Sequence, residues 1–309
     1  MITLFTIPKP LEGEFRRLQE NAVGSWRALE PEVEILLLGD EPGEAELAAR
    51  LGVRHLPDLT RNDYGTPRVD DIFRRGEEAA TEPILCYLNA DIILGSDFLA
   101  AVRIAAGLRQ RFLMVGRRWN LDVEEKIDFT DPAWESKIRD QVRTRGSLED
   151  PSGIDYFIYR RGLWPSIPPF AVGRTMWDNW LIYSARSRGA AVIDATAVLW
   201  VIHQNHGYGH HPQGWKGVWE GPEAIRNMEL AGGLAHYFTI EDATHLLTDR
   251  GLRPARDRAH LRRRWQVLPS LWAPAAWAKR IWAGGSHAVY ALRVRVARWR
   301  GRIPPEGKS

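Results

Sequence analysis

The sequence contains a single cysteine, Cys86, among its 309 residues, so a disulfide within the chain is excluded. Its apolar neighbours, Leu85 and Tyr87, are typical of a buried core thiol rather than a nucleophile. The opening stretch MITLFTIPKP has neither a basic leader nor a sustained apolar segment. These features favour a reducing, cytoplasmic setting.

Long hydrophobic runs and several familiar catalytic motifs are also missing. The carboxy-terminal runs QVLPSLWAPAAWA and IWAGGSHAVYAL are separated by Lys279-Arg280 and fall short of the ~20 residues that a spanning helix needs. No G-x-G-x-x-G follows the first predicted strand, no G-x-S-x-G or HExxH occurs, and in GHHPQGWK Trp215 stands where a P-loop needs lysine. Dinucleotide, P-loop, serine-hydrolase and zincin chemistry are therefore disfavoured.

The net charge of +3 hides a strong asymmetry. Residues 251–309 carry fourteen Lys and Arg against Asp257 and Glu306, a balance of +12, so residues 1–250 sum to −9. Five tryptophans are interleaved with these basic residues: Trp265, Trp272, Trp277, Trp282 and Trp299. This composition is typical of an amphipathic segment on a membrane surface or anionic partner, and equally of a solvated basic helix pair packed on the domain.

Short apolar runs alternate with helix-period segments along the first 130 residues, which predicts an α/β fold with a mostly parallel sheet flanked by helices. We expect strands at Ile2 to Ile7, Val33 to Leu38, Val53 to Leu56, Ile84 to Leu88, Phe112 to Val115, Ile154 to Tyr159 and Ala191 to Val201. Helices are expected at Glu14 to Leu29, at Gly43 to Leu51, from Thr66-Pro67, after Ser96, and from Thr175 to Gly189. Residues 117–152 read as irregular.

Two polar residues, Asn89 and Asp91, interrupt the apolar run ILCYLNADIIL. Because side chains alternate along a strand, both face the same side, at the carboxyl end of a central strand where open α/β sheets bind ligands. A carboxylate there can hold a hard divalent cation, which in turn neutralises a diphosphate. The alternative is that Asp91 caps a turn before Gly95.

The order of these segments resembles the GT-A fold of nucleotide-diphospho-sugar transferases, the glycosyltransferase family 2-like group. The matching segments, within residues 1 to 215, are ITLFTIP, the strand ending at Gly39-Asp40, TRNDYGTPRVDDIF, LNADIIL, GIDYFIYRRGLW, PPFAVGRTMWDNWL and VIDATAVLWVIHQNH. The short acidic D-x-D motif of that group reads N-A-D here, because Asn89 takes the place of the first aspartate. This departure puts strong metal dependence in doubt, although an amide oxygen can still bind a metal or the donor ribose.

The resemblance implies a glycosyltransferase that moves a sugar from a nucleotide-diphosphate donor to a glycan or other hydroxyl acceptor with inversion. It places Asp63, Arg68 and Asp71 near the nucleoside, with Arg68 stacking on the base or gripping phosphate. Arg68 paired to Asp70 or Asp71 on a solvated helix face is the alternative. Asn89 and Asp91 would approach the donor diphosphate, and no nucleic-acid partner is expected.

The resemblance also assigns the general base and the metal ligands. Asp178 would deprotonate the acceptor hydroxyl, although T-x-x-D at Thr175 is also a helix-capping pattern. The flanking aromatic residues Phe170, Trp177 and Trp180 suggest a wall for a sugar.

A histidine-rich loop supplies the remaining metal ligand. His203, with His206 as its alternate, would complete a Mn²⁺ or Mg²⁺ site with Asp91. With His210 and His211 close by, an independent zinc site is the rival interpretation. Residues 117–152 and 205–219 would shape the acceptor site.

Two other functions share this pattern. A sugar nucleotidyltransferase has the same fold, but IPKPLEGEF lacks the glycine-rich basic loop that such an enzyme carries after its first strand. A carbohydrate-binding or membrane-assembly module that has lost its chemistry is the non-enzymatic alternative, and the N-A-D motif favours it.

The charge asymmetry predicts two domains, residues 1–250 and a basic helical tail, residues 251–309. We expect the tail to bind anionic lipid or an anionic partner without spanning the bilayer, which on lipid would hold a cytoplasmic enzyme at the inner membrane face. Flotation with anionic liposomes should recover the full-length protein and not residues 1–250. Equal recovery of both proteins, or of neither, would contradict this role.

Overall fold

The computed structural model describes residues 1–29, 33–108, 110–207 and 219–272. The chain divides into two units, Met1–Leu261 and Arg262–Ser309. The described helices are α1 (Gly13–Arg27), α2 (Glu44–Leu51), α3 (Val69–Ala79), α4 (Asp97–Ala106), α5 (Trp134–Arg145), α6 (Trp177–Ser187), α7 (Pro222–Ala231) and α8 (Arg258–Leu271).

Thirteen strands form two sheets in the described residues. They are β1 (Ile2–Thr6), β2 (Val33–Leu38), β3 (Arg54–Leu56), β4 (Ile84–Leu88), β5 (Ile92–Ile93), β6 (Phe112–Val115), β7 (Trp119–Leu121), β8 (Ser147–Leu148), β9 (Tyr156–Arg160), β10 (Ala191–Asp194), β11 (Ile202–Gln204), β12 (His245–Thr248) and β13 (Gly251–Pro254). The predicted α/β class with a mostly parallel sheet is confirmed.

The large sheet has nine strands in the order β13-β12-β10-β6-β9-β4-β1-β2-β3. Five of its pairings are parallel, and each of the three antiparallel pairings includes β9 or β13. Strands β1, β4 and β6 are buried along their whole length, as expected where helices cover both faces of a parallel sheet. Cys86 lies in β4 with no exposed surface, and burial raises the pKa of its thiol, so the predicted core role fits.

A small sheet, in the order β5-β11-β7-β8, lies beyond the carboxyl end of β4. Strand β5 begins directly after Asp91 and pairs antiparallel with β11, while β11 runs parallel to β7. The indole nitrogen of Trp26 on α1 donates to the carbonyl of Ile92, at 2.8 Å, and the Ser25 hydroxyl accepts from the amide of Leu94, at 3.1 Å. Helix α1 therefore anchors the segment that follows the N-A-D motif.

Two helices begin two or more residues later than predicted. Helix α3 begins at Val69 because the preceding Thr66 belongs to a turn, in which its amide donates to the Asn62 side chain at 3.0 Å. Helix α6 begins at Trp177 because Met176 has φ 85°, a left-handed conformation that cannot continue into a right-handed helix.

The predicted strand from Ala191 to Val201 ends at Asp194. The Asp194 carboxylate accepts hydrogen bonds from the Thr196 amide (2.8 Å) and hydroxyl (2.5 Å), which turns the chain out of the large sheet. The chain returns as β11 in the small sheet. The prediction of irregular structure for residues 117–152 is wrong for β7, α5 and β8.

The carboxy-terminal part of the first unit contains the hairpin β12-β13, and the domain boundary predicted after residue 250 lies inside this hairpin. Helix α8 follows in the predicted helical tail, and residues 273–309 lie outside the described residues. A truncation after residue 261 keeps the hairpin whole. Within the described ranges, no helix combines the length and apolarity needed to cross a membrane.

Candidate functional site

Five polar side chains meet at one edge of the large sheet. Strands β1, β4 and β6 point toward this edge and deliver Lys9, Asn89, Asp91 and Arg118 just beyond their carboxyl ends. Strand β9 runs the opposite way, so Asp155, the residue before it, lies at the same edge, and its carbonyl accepts from the amide of Asn89 at 2.9 Å. The sheet topology thus concentrates charge where parallel strands end.

Asp91, His203 and His206 form the centre of this cluster. Their ligating atoms all lie within 4.8 Å of one another. The Nε2 atom of His206 is 3.0 Å from Asp91 Oδ2, and the Nε2 atom of His203 is 3.8 Å from the same oxygen. The fold therefore brings Asp91 together with both His203 and its predicted alternate, His206.

The electrostatics of this set suit a cation. Asp91 is only 8% exposed; burial disfavours its charge, yet His203, His206 and Lys9 hold its pKa below its ordinary value. Burial lowers the pKa of His203, which keeps a ring nitrogen lone pair available. Asp91 Oδ1 and His203 Nδ1 are buried without a hydrogen-bond partner. Such orphaned atoms are expected where a metal completes the coordination, so the residues present fit Mn²⁺ or Mg²⁺.

A pair of buried amide side chains holds this cluster in place. Gln204 Nε2 donates to the carbonyls of Leu18 (2.7 Å) and Asp91 (3.1 Å), and its Oε1 accepts from Asn21 Nδ2 at 3.0 Å. These hydrogen bonds connect helix α1, strand β11 and the N-A-D turn. Gln204, which makes them, lies between His203 and His206 in the sequence.

A second network surrounds Asn89. Its Nδ2 donates to Asp155 Oδ1 at 2.5 Å, and the other oxygen of Asp155 is ion-paired with Arg118. Arg118 also contacts Glu149 Oε2 at 3.3 Å and donates to Asn120 Oδ1 at 3.0 Å. Asn89 therefore binds a carboxylate from the residue before β9, and that carboxylate is itself paired with Arg118.

Sequence reasoning missed Lys9, Arg118 and Asp155. Lys9 and Arg118 follow predicted strands by two and three residues, and Asp155 is the second residue of another predicted strand, which begins one residue after it in the structure. That position is a usable signal, but only the strand order shows that the three share one edge with Asp91.

Asp178 occupies the second position of α6 and is half-buried. Burial raises its pKa to about 7, and the charge of Asp155 acts in the same direction. Its Oδ1 accepts from the Asn179 amide, at 2.9 Å, in the first turn of α6, and the N-cap position of the helix is held by Met176 rather than by Thr175. The only described non-glycine residue with positive φ, Met176, lies two residues before it, and such strain is common beside functional groups.

The three residues predicted to approach the nucleoside have different surroundings. Asp63 is exposed in the turn before α3. The Arg68 guanidinium is engaged by Asp70, at 3.1 and 2.6 Å, as in the alternative interpretation of Arg68. Asp71 is buried and accepts from the Thr60 amide at 2.7 Å and from Arg74 at 2.5 Å. Their contact with a nucleotide stays a prediction.

The predicted aromatic wall is wrong for two of its members. Phe170 is fully buried, and Trp177 packs in the core against the rings of Tyr87 and Phe157, at centroid distances of 5.5 and 5.6 Å. Trp180 packs edge-on against Phe170 and remains partly exposed. Large aromatic rings stabilise the protein more when they are buried in the core than when they line an open cleft.

The histidine-rich loop is described only as far as residue 207, so His210, His211 and the rival zinc site lie outside the described residues. His203 lies within β11 and His206 lies two residues after it.

The chain was compared with known proteins. No family profile and no curated protein sequence matches it. Among solved structures, a Staphylococcus aureus TarS fragment in complex with UDP-GlcNAc has 11% identity and a TM-score of 0.51, covering 87% of this chain and 71% of that one. The fold is GT-A.

Two further structures with this GT-A fold have lower TM-scores. The Pyrobaculum calidifontis mannosyltransferase PcManGT, in complex with GDP-Man and Mn²⁺, has 13% identity and a TM-score of 0.47, covering 97% of this chain and 81% of that one. The Mycobacterium tuberculosis glucosyl-3-phosphoglycerate synthase, in complex with Mn²⁺, UDP and phosphoglyceric acid, has 14% identity and a TM-score of 0.47, covering 75% and 79%.

A buried acid, Glu44, lies near the carboxyl end of β2. It has no exposed surface, and neither of its carboxylate oxygens has a hydrogen-bond partner. The nearest base, His55, places Nε2 3.6 Å from Glu44 Oε2 but makes its hydrogen bond to the Gly39 carbonyl, at 2.7 Å. Burial, reinforced by the charges of Glu41 and Asp40, raises the pKa of Glu44 to about 8.

Glu44→Gln should therefore stabilise the protein in a pH-dependent manner. Between about pH 4.3, where an unfolded glutamate titrates, and about pH 8, the folded state holds a proton that the unfolded state releases. Wild-type stability thus falls as pH rises through this window, whereas the neutral glutamine escapes the loss. Urea unfolding should show a gain of about 2–4 kcal/mol at pH 8.5 and little at pH 5.

Glu46→Gln, on the exposed side of the same helix, is the matched control, and should change stability by less than about 0.5 kcal/mol at both pH values. An equal gain for Glu44→Gln at pH 5 and pH 8.5 would show that Glu44 does not titrate in this window.

Proposed function

We propose that this protein is a glycosyltransferase that transfers a sugar from a nucleotide-diphosphate donor to a hydroxyl acceptor. The observation that carries the proposal is the buried Asp91, with an orphaned oxygen, facing His203 and His206 at the carboxyl edge of a GT-A sheet. The TarS fragment of the same fold was solved with UDP-GlcNAc, which supports a sugar nucleotide as the donor class.

Donor binding is assigned to the cluster and to the segment before α3. Asp91, His203 and His206 would hold Mn²⁺ or Mg²⁺, which supplies positive charge against the donor diphosphate. The Asn89 oxygen assists on the same side. Asp63, Arg68 and Asp71 are proposed to approach the nucleoside, with Arg68 exchanging its bond to Asp70 for a ligand contact.

Catalysis is assigned to Asp178 as the general base. Its carboxylate takes the proton of the acceptor hydroxyl as the acceptor oxygen attacks the anomeric carbon of the sugar. The bond from that carbon to the diphosphate breaks, and the nucleoside diphosphate leaves with the bonding electrons. Attack from the face opposite the leaving group inverts the anomeric configuration. A pKa of about 7 suits a base that must accept a proton and return it to solvent near neutral pH.

The cellular setting is proposed to be the cytoplasmic side of a membrane. The support is compositional: the +12 charge and five tryptophans of residues 251–309 match a peripheral anchor on anionic lipid. A glycan or other hydroxyl acceptor presented near such a surface would reach an enzyme held there.

Replacing Asp91 by alanine should abolish metal-stimulated nucleotide binding. The change removes the single carboxylate of the proposed ligand set, while a side chain beyond the end of β4 contributes little to the core. Calorimetry with UDP and GDP, with and without Mn²⁺, measures the effect. Asp140→Ala, an exposed aspartate on α5, is the matched control and should bind as wild type does.

A wild-type protein that binds neither nucleotide under any metal condition would contradict the transferase proposal. Identical binding by Asp91→Ala and wild type would remove Asp91 from the site. Product formation from a panel of UDP- and GDP-sugars separates a transferase from a module without chemistry.

Asp178→Asn should lower turnover by roughly 10² or more and leave donor affinity within a few-fold, because it removes the base while keeping the shape of the ground-state site. The wild-type rate should rise with pH up to about 7 and then level off, since the carboxylate must be ionised. Steady-state kinetics across pH measures both effects. A joint fall of donor affinity and thermal stability would instead assign Asp178 a structural role.

A further inference from the structure

Lys9 is fixed in position directly beyond the end of β1. It lies between Pro8 and Pro10, whose rings restrict the backbone. The buried side chain of Gln19 on α1 holds both of its backbone groups: Gln19 Oε1 accepts from the Lys9 amide at 2.6 Å, and Gln19 Nε2 donates to the Lys9 carbonyl at 2.9 Å. Such a bidentate clamp keeps the base of the side chain in one place.

The Lys9 ammonium lies inside the Asp91 and histidine cluster. Its Nζ is 3.4 Å from His206 Nε2, the atom that lies 3.0 Å from Asp91 Oδ2. The other side of the ammonium faces the ring of Phe15, with Nζ 4.7 Å from the centroid, and the same ring packs edge-on against His206 at 5.2 Å. A fixed cation therefore lies next to the residues that would hold a metal.

The charges of the site explain why a lysine there is useful. The N-A-D motif offers the cluster one carboxylate, and Arg118, the other nearby cation, is engaged by Asp155 and Glu149. Each phosphate of a donor diphosphate is charged, and further negative charge develops on it as the sugar leaves. Lys9 differs from Arg118 in this respect. Its described contacts are with His206 and Phe15, and none of them is an ion pair with a carboxylate at hydrogen-bonding distance.

We propose that Lys9 binds the donor diphosphate directly and shares with the divalent cation the charge compensation of the leaving group. The proposal rests on the transferase function proposed above. It also accounts for Asn89. Because Lys9 supplies part of the positive charge that faces the diphosphate, less of that charge has to come from the metal, and the first carboxylate of the acidic motif is dispensable.

The proposal predicts two effects of opposite sign for Lys9→Met. Binding of nucleoside diphosphate without metal should weaken by about tenfold or more, because the direct cation is lost. Binding of Mn²⁺ to the free protein should strengthen by about tenfold, because a like charge beside the ligand set is removed. A residue with only a packing role would weaken both.

Calorimetry provides the test on the full-length chain. UDP and GDP are titrated in EDTA and in Mn²⁺, and Mn²⁺ is titrated alone, into wild type, Lys9→Met and Lys9→Arg. Lys137→Met, an exposed lysine on α5 paired with Asp131, changes the net charge equally and should behave as wild type. Lys9→Arg keeps the charge and should retain most of the metal-free binding. Thermal unfolding of each variant confirms that it is folded.

Three results would overturn the proposal. One is unchanged metal-free nucleotide binding and Mn²⁺ affinity in Lys9→Met. Another is nucleotide binding by wild type only when Mn²⁺ is present, since Lys9 would then contribute no usable charge. The third is equal loss in Lys9→Arg and Lys9→Met, which would assign Lys9 a packing role. In all three the transferase function stands, whereas a wild type that binds no nucleotide at all removes both proposals.

Discussion

The buried carboxylate of Asp91 is the constraint on which the rest of the site depends. A charge with so little contact with water is stable only where positive or polarisable groups surround it, and these come from elements far apart in sequence. Strand β11 brings His203, the loop after it brings His206, and the segment after β1 brings Lys9. The small sheet, the Gln204 amide and helix α1 hold that arrangement together.

A second set of charged residues, Arg118, Asp155 and Glu149, lies beside Asp91, and its members pair with one another. Arg118 and Asp155 form an ion pair. Glu149 also contacts Arg118, and Asn89 donates a hydrogen bond to Asp155. Asp91 instead faces His203, His206 and Lys9. Asp178 occupies a third environment, where burial raises its pKa to about 7. The pKa values of Asp91 and Asp178 are thus shifted in opposite directions because the surroundings of the two carboxylates differ.

The corrections to the predicted structure have a common physical origin. Sequence patterns report local preferences, but Met176 adopts a left-handed backbone that delays α6, and the Asp194 side chain ends β10 by forming a turn. Phe170 and Trp177, which looked available to a sugar, fill the core instead. Burial, a side-chain hydrogen bond or the backbone conformation of one residue thus overrides the local pattern in these places.

The sequence by itself determined the α/β class and the main strands from Ile2 to Val115, because apolar periodicity is a local signal. A polar break after a buried strand marked Asp91 as a candidate metal ligand, and the resemblance to the GT-A group marked His203 and His206. Only the tertiary structure decided that Lys9, Arg118 and Asp155 share one edge with them. That edge is created by the strand order and by the antiparallel insertion of β9 between β4 and β6. Such pairings join residues far apart along the chain, so no local pattern encodes them.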